Sequence, residues 1–245
     1  MFKLNKDSVL GTFVIIIGFC LVCSVLVSSA VVALNPYKAA AIANDRQSNI
    51  LKVSGFDVEG SIAATYKKHI EAHLLDVDSG ALADNGLSQE KIDGYDFKSL
   101  GKKPETSEAI AKDDQGKVVR VILPFYGQGL WSTIYGYVAV DPKDGNTIKG
   151  VTFYDHGETP GLGGEIENPR WQALWVDKHV NDQSGAYKFG IMKHADHQGA
   201  GKDFQVDALS GATLTSRGVD GFSHYWLGKA YQPFLKNLSK GEIIK

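Results

Sequence analysis

The sequence predicts an α+β protein, with an N-terminal transmembrane helix followed by one mixed α+β domain. Three observations carry this. Ser8 to Tyr37 contains no charged residue. Three stretches between Val118 and Tyr154 are rich in β-branched and aromatic residues. Apolar residues recur at helical spacing after Asn168 and again after Ser216.

Residues 9–34 are almost wholly apolar, and as a helix they would reach about 39 Å at ~1.5 Å per residue, against a hydrocarbon core of ~30 Å. Val31-Val32-Ala33 could pass for a signal-peptide cleavage site, but the run exceeds the usual ~7–15-residue signal core, so an uncleaved anchor is expected. Lys3 and Lys6 precede the span, which leaves residues 1–8 in the cytoplasm and residues 35–245 on the far side. The only cysteines, Cys20 and Cys23, lie inside the span, so the exported part has neither a disulfide nor a thiolate metal site. Thiols in hydrocarbon behave as small apolar groups, and packing against partner helices is their expected role. With 26 basic and 28 acidic side chains, nothing suggests nucleic-acid binding.

Beyond the span, Tyr37 to Val53 is alanine-rich and helix-compatible, with Gly55 as a stop. Ser61 opens a second helix, in which Ile62, Tyr66, Ile70 and Leu74 carry the pattern to about Leu75. Residues 76–117 lack periodicity and read as irregular, with one short element around Ser88–Ile92. Strands are expected over Val118–Phe125, Ile134–Val140 and Thr147–Tyr154, the last two joined as a hairpin through Asp141–Asn146. A loop with glycines 157, 161, 163 and 164 follows. Asn168 and Pro169 then start a helix with Trp171, Leu174 and Trp175 on one face. Tyr187–Lys193 reads as a strand, and Val219, Phe222, Trp226 and Leu227 mark a final amphipathic helix from about Ser216.

The chemistry concentrates just ahead of that last helix, in Ser210-Gly211-Ala212-Thr213. Gly211 and Ala212 let a ligand approach the backbone, and a helix N-terminus favours a phosphate through its N–H groups and dipole. Local chemistry alone also fits a capped turn with no ligand, because Ser, Thr and Gly are common before helices. Two other patterns carry less. His69 and His73 have the i, i+4 spacing of a zinc pair, but Ile70 stands where a metalloprotease has glutamate and no third ligand is evident, so no metal is expected. His194 and His197 flank a polar loop and are expected to be solvated. The glycines of 161–164 lack the spacing of a dinucleotide fingerprint.

Asp207-Ala208-Leu209-Ser210-Gly211-Ala212-Thr213 as a whole resembles the acceptor signature of covalently flavinylated membrane proteins. Gly129-Leu130-Trp131-Ser132, Gly157-Glu158-Thr159-Pro160-Gly161-Leu162-Gly163-Gly164-Glu165, Leu214-Thr215-Ser216 and the Leu21–Ser24 segment of the span agree with it. Together they are similar to the C subunits of the sodium-translocating NADH:quinone oxidoreductases, in an FMN-binding domain family shared with the G subunits of the Rnf complexes. The likeness covers the anchor and most of residues 118–235. It implies FMN joined to Thr213 through a phosphoester by a separate flavin transferase, with Asp207 part of what that enzyme reads. It also implies a periplasmic domain on an inner-membrane anchor, assembled with the A, B, D, E and F subunits of the complex. Electrons would pass from a membrane iron centre towards the FMN of the B subunit, coupled to sodium export.

On this reading the chain belongs to an NADH-oxidising enzyme but catalyses nothing alone. Thr213 supplies attachment, and the redox work belongs to the flavin. Leu162, with the backbone of Gly161 and Gly163, would meet the ring, and Glu158 and Thr159 its polar edge. Leu130 and Trp131 would stack or shield, and Lys193 would face negative charge on the reduced flavin. The rival readings are the Rnf G subunit, or a colourless anchored scaffold whose hydroxyl turn only caps a helix.

Overall fold

The computed structural model describes residues 9–57, 60–83 and 105–241. The chain divides into two compact units, residues 1–45 and 46–245. In the first, helix α1 (Val9–Ser54) begins and runs through Pro36. Among the described residues it is the one helix long and apolar enough to cross a membrane, with a peak mean hydropathy of 2.7. The span expected from the sequence is 9–34; the helix itself continues for 20 residues more, as the alanine-rich segment suggested.

The last turns of α1 belong to the second unit, where Ile50, Leu51 and Val53 are buried. The helix stops at Gly55, whose φ of +75° is costly for any residue with a Cβ. Its N–H donates to Lys52 O, and the Arg120 guanidinium donates to Val53 O at 2.7 Å, so two of the helix's last carbonyls find donors.

A six-stranded antiparallel sheet forms the scaffold, in the order β2-β1-β3-β4-β5-β6. Its strands are β1 (Ile70–Asp76), β2 (Ala81–Leu82), β3 (Glu105–Lys112), β4 (Val118–Gln128), β5 (Thr133–Val140) and β6 (Ile148–Asp155). The period of two divides each central strand between two cores. Val121, Leu123, Phe125, Val138 and Val140 enter one cluster. Ile122, Tyr137 and Ala139 enter the other, against the end of α1 and against Tyr66 of α2 (Ile62–His69). The larger cluster is roofed by α3 (Pro169–Ala173), α4 (Thr213–Tyr225), a π turn (Trp226–Ala230) and α5 (Gln232–Ser239). A short parallel pair, β7 (Gly190–Met192) and β8 (Gln205–Asp207), completes that layer. Trp175 lies at the centre of the cluster, with ring contacts to Phe125, Phe153, Trp171 and Phe189. Each such fully buried large side chain contributes ~1.5–3 kcal/mol through water exclusion.

The hairpin β5–β6, its turn and the strand β4 stand where the sequence places them. Four expectations change. The second helix caps at Ser61, whose hydroxyl accepts from Ala64 N–H, but ends at His69; Ile70 begins a strand. Residues 76–117 hold β2 and β3 rather than irregular chain, while Ser88–Ile92 lies outside the described residues. The strand expected over Tyr187–Lys193 shortens to β7. Trp171 in α3 and Trp175 just beyond its end turn inward as expected, but Leu174 is exposed.

Candidate functional site

Helix α4 lies along the end of β4, and glycines allow the close approach. A Cβ at Gly218 would stand 2.4 Å from Gln128 O, and one at Gly127 would stand 2.3 Å from the Phe222 side chain. Leu209–Ala212 makes a turn closed by Ala212 N–H donating to Leu209 O, with Gly211 at its third position at φ +76°. The helix therefore starts at Thr213, two or three residues earlier than the pattern of Val219 and Phe222 suggests.

That shift decides the roles of the two threonines. Thr213 occupies the first helical position and is exposed. Thr215 is 1% exposed, and its hydroxyl donates to Glu158 Oε2 at 2.6 Å. Ala212, the N-cap residue, has no side chain able to cap. Among the described residues no acceptor meets the N–H groups of Thr213, Leu214 or Thr215. The turn is held from outside the cap, with Ser216 Oγ accepting from Leu209 N–H at 3.0 Å. Such a helix end has spare donors and positive potential for an anion.

Apolar side chains stand exposed around it: Leu130, Trp131 at 69%, Leu162 and Leu214. Leu162 reaches the acceptor turn directly, since a Cβ on Gly211 would lie 3.4 Å from its Cδ2. Thr159 and Gly161 are exposed and Gly163 is buried, where a Cβ would strike Thr215 Oγ1 at 2.5 Å. The 157–165 loop therefore meets the first turn of α4, and Glu158 of that loop ties the 129–132 loop to it. A hydroxyl, unmet helix N–H groups and an exposed apolar shelf fit a phosphate ester carrying a flat ring.

Glu158 differs from expectation. It is 4% exposed, and its carboxylate turns inward to accept from Trp131 N–H at 2.9 Å, from Ser132 N–H at 3.4 Å and from Thr215 Oγ. Burial pushes its pKa up, but the Thr215 hydroxyl and the N–H groups of Trp131, Ser132 and Leu130 outweigh that and hold it below the ordinary glutamate value. It ties the loops together instead of facing outward.

Asp207 ends β8. Its carboxylate accepts from Ala195 N–H at 2.9 Å and meets His197 Nε2 at 2.7 Å, with the N–H bond first among the causes that hold its pKa down. His197 thus has a partner that its loop position did not suggest. Trp171 Nε1 donates to Asp207 O, anchoring the strand to the core. Lys193 is exposed, directly after the end of β7 that pairs with Asp207. Ser210 is exposed on the turn. The histidine pair separates: His69 ends α2, with Nδ1 2.9 Å from Lys112 O, whereas His73 lies on β1. Among the described residues no group of three His, Cys, Asp or Glu side chains could hold a metal.

This arrangement falls within a recognised class: the family model described as "FMN-binding domain" matches residues 129–228, which contain both loops, the acceptor turn and α4. The C subunit of the Na(+)-translocating NADH-quinone reductase of Neisseria meningitidis serogroup A is 41% identical, covering 96% of each chain. Its counterpart in Pseudomonas aeruginosa is also 41% identical, over 97% of this chain and 99% of its own. The crystal structure of Shewanella oneidensis NqrC superposes with a TM-score of 0.73 at 32% identity, covering 82% of this chain and 99% of that one. The same component from Parabacteroides distasonis gives 0.69 at 30% identity, covering 84% and 97%. The chain belongs to the NqrC family, the C subunits of the Na(+)-translocating NADH-quinone reductases.

Proposed function

We propose that this chain is the single-pass, one-electron carrier of a redox-driven sodium pump, holding FMN as a phosphoester on Thr213. One observation carries the reading: of the two threonines in Ala212-Thr213-Leu214-Thr215, only Thr213 presents its side chain to solvent, at a helix start with spare N–H donors. Bound FMN would supply the electron-transfer chemistry. The chain's own residues attach, orient and shield. The α4 N–H groups and Gly211 receive the phosphate. Leu162, Leu130 and Trp131 offer the apolar shelf, and Thr159, Gly161 and Gly163 bring backbone and hydroxyl groups to its edge. Lys193 stands on the side of β8. Asp207, through the 193–201 loop, keeps the acceptor strand in the shape that a flavin transferase would read.

The anchor leaves the domain in the periplasm, where lost FMN could not be replaced from the cytoplasmic pool; a covalent bond answers that need. In the assembled complex the electron would arrive from a membrane iron centre and leave towards the FMN of the B subunit, with the A, D, E and F subunits completing the pump. Protein co-produced with a flavin transferase is expected to be yellow and to fluoresce in a denaturing gel, with the FMN mass on the Thr213 peptide. Thr213→Val is expected to keep its melting temperature and lose the flavin. Full labelling of that variant would move the acceptor elsewhere and end the proposal.

A further inference from the structure

Carboxylates buried to the extent of Glu158 are costly unless a cation or several donors answer them. Among the described residues no lysine, arginine or histidine forms an ion pair with Glu158. Neutral donors do the work instead, on partners 27, 26 and 57 positions away in sequence: Trp131 N–H, Ser132 N–H and Thr215 Oγ. Space is tight on both sides. A Cβ at Gly129 would lie 2.5 Å from Glu158 Oε1, and one at Gly163 would lie 2.8 Å from Oε2. The carboxylate is therefore a fixed negative charge inside the wall that carries Trp131, Leu162 and Thr213, and among the described residues no cation pairs with it.

We infer that Glu158 is a positioning residue with an electrostatic role: it clamps the Leu130–Ser132 turn to the first turn of α4, and its charge lowers the reduction potential of a flavin held there. The inference rests on the proposed flavin site. Giving an electron to a group beside a fixed, poorly screened negative charge is opposed, and the low dielectric of a buried position amplifies the effect. The same charge faces the α4 N-terminus, whose dipole stabilises it. Clamp and charge are separable by substitution. Glu158→Gln keeps the shape: its amide oxygen can accept from Trp131 and Ser132, while its NH2 can donate to Thr215 Oγ. Glu158→Ala removes both.

The test uses the full-length protein, with and without co-produced flavin transferase. In the unloaded protein, Glu158→Ala is expected to lose amide hydrogen-exchange protection at Trp131 and Ser132, and Glu158→Gln to retain it. In the loaded protein, Glu158→Gln is expected to carry flavin like the wild type but to titrate at a higher potential. At a fixed applied potential its reduced-to-oxidised ratio should rise at least tenfold, which is about 59 mV for a one-electron couple. An unchanged potential in loaded Glu158→Gln overturns the electrostatic role, because a purely structural glutamate would leave the potential alone. Unchanged protection in Glu158→Ala overturns the clamp. A wild type that takes up no flavin would instead defeat the proposed function, and the exchange arm would still judge the clamp.

Discussion

Gly218 and Gly221 lie three residues apart in α4, and the structure assigns them opposite responses to the same added methyl group. At Gly221 a Cβ would meet nothing within 4 Å. Gly221→Ala then acts through backbone entropy alone and should stabilise the protein by about 0.5–1 kcal/mol. At Gly218 the Cβ would stand 2.4 Å from Gln128 O and 3.1 Å from Gly129 Cα. Ordinary contact begins at 3.4 Å, so helix and strand must part by about 3.4 − 2.4 = 1 Å. The obstacle is backbone, which cannot rotate aside as a flexible side chain can. Overpacking costs about 1–3 kcal/mol, against the same propensity gain of about 1 kcal/mol. A net loss of about 0–2 kcal/mol follows, a fall of up to about 8 °C in melting temperature for a domain this size, whereas Gly221→Ala should rise. The displaced helix carries Thr213 with it, since five residues of helix make a rigid arm of about 7.5 Å. On the proposed function, covalent flavin loading at Thr213 should therefore fall in Gly218→Ala and persist in Gly221→Ala. Thermal melts of the two full-length variants, followed by near-ultraviolet circular dichroism, decide the matter. A Gly218→Ala protein that melts at or above Gly221→Ala would refute the packing argument.

Other perturbations test separate parts of the fold. Tyr231→Phe deletes the buried hydroxyl that donates to Pro124 O and should cost about 1–2 kcal/mol, read as a lower urea midpoint with an unchanged slope. Leu162 is exposed, so Leu162→Ala should change stability by less than about 0.5 kcal/mol yet shift the visible spectrum of the bound flavin; an unaltered spectrum would remove Leu162 from the site. The 193–204 loop should loosen in acid. The N–H groups of Gly201, Gly199 and Gln198 hold the Asp196 pKa below its ordinary value, and the N–H of Ala195, followed by His197, does the same for Asp207. A depressed carboxylate stabilises the fold above its unfolded pKa of about 3.9 and loses that contribution as pH falls through the folded value. Amide protection at Ala195, Gly199 and Gly201 should accordingly drop below about pH 4, and constant protection there would contradict the assigned bonds.

How far the sequence could be read depended on whether one pattern admitted one structure. β4, β5 and β6 were legible because long β-branched runs flank an Asp-Pro-Lys-Asp-Gly-Asn turn, and few other folds satisfy both. β1 was not. Ile62, Tyr66, Ile70 and Leu74 are spaced by four, which is close to a helical repeat and also a multiple of the strand repeat. In the structure Ile70, Ala72 and Leu74 alternate with Glu71 and His73 as a strand. Only pairing with β3, from Ile70 opposite Ala111 to Asp76 opposite Glu105, selects that alternative.

The sequence by itself determined the apolar span, the central hairpin and the short motif that holds Thr213, because each depends on neighbours in the chain. Tertiary structure alone decided that α4 starts at Thr213, that Thr215 turns inward, and that Glu158 is buried beneath the site. Those facts depend on contacts between residues up to 57 positions apart. Local composition carries no record of which distant backbone N–H groups will converge on one carboxylate.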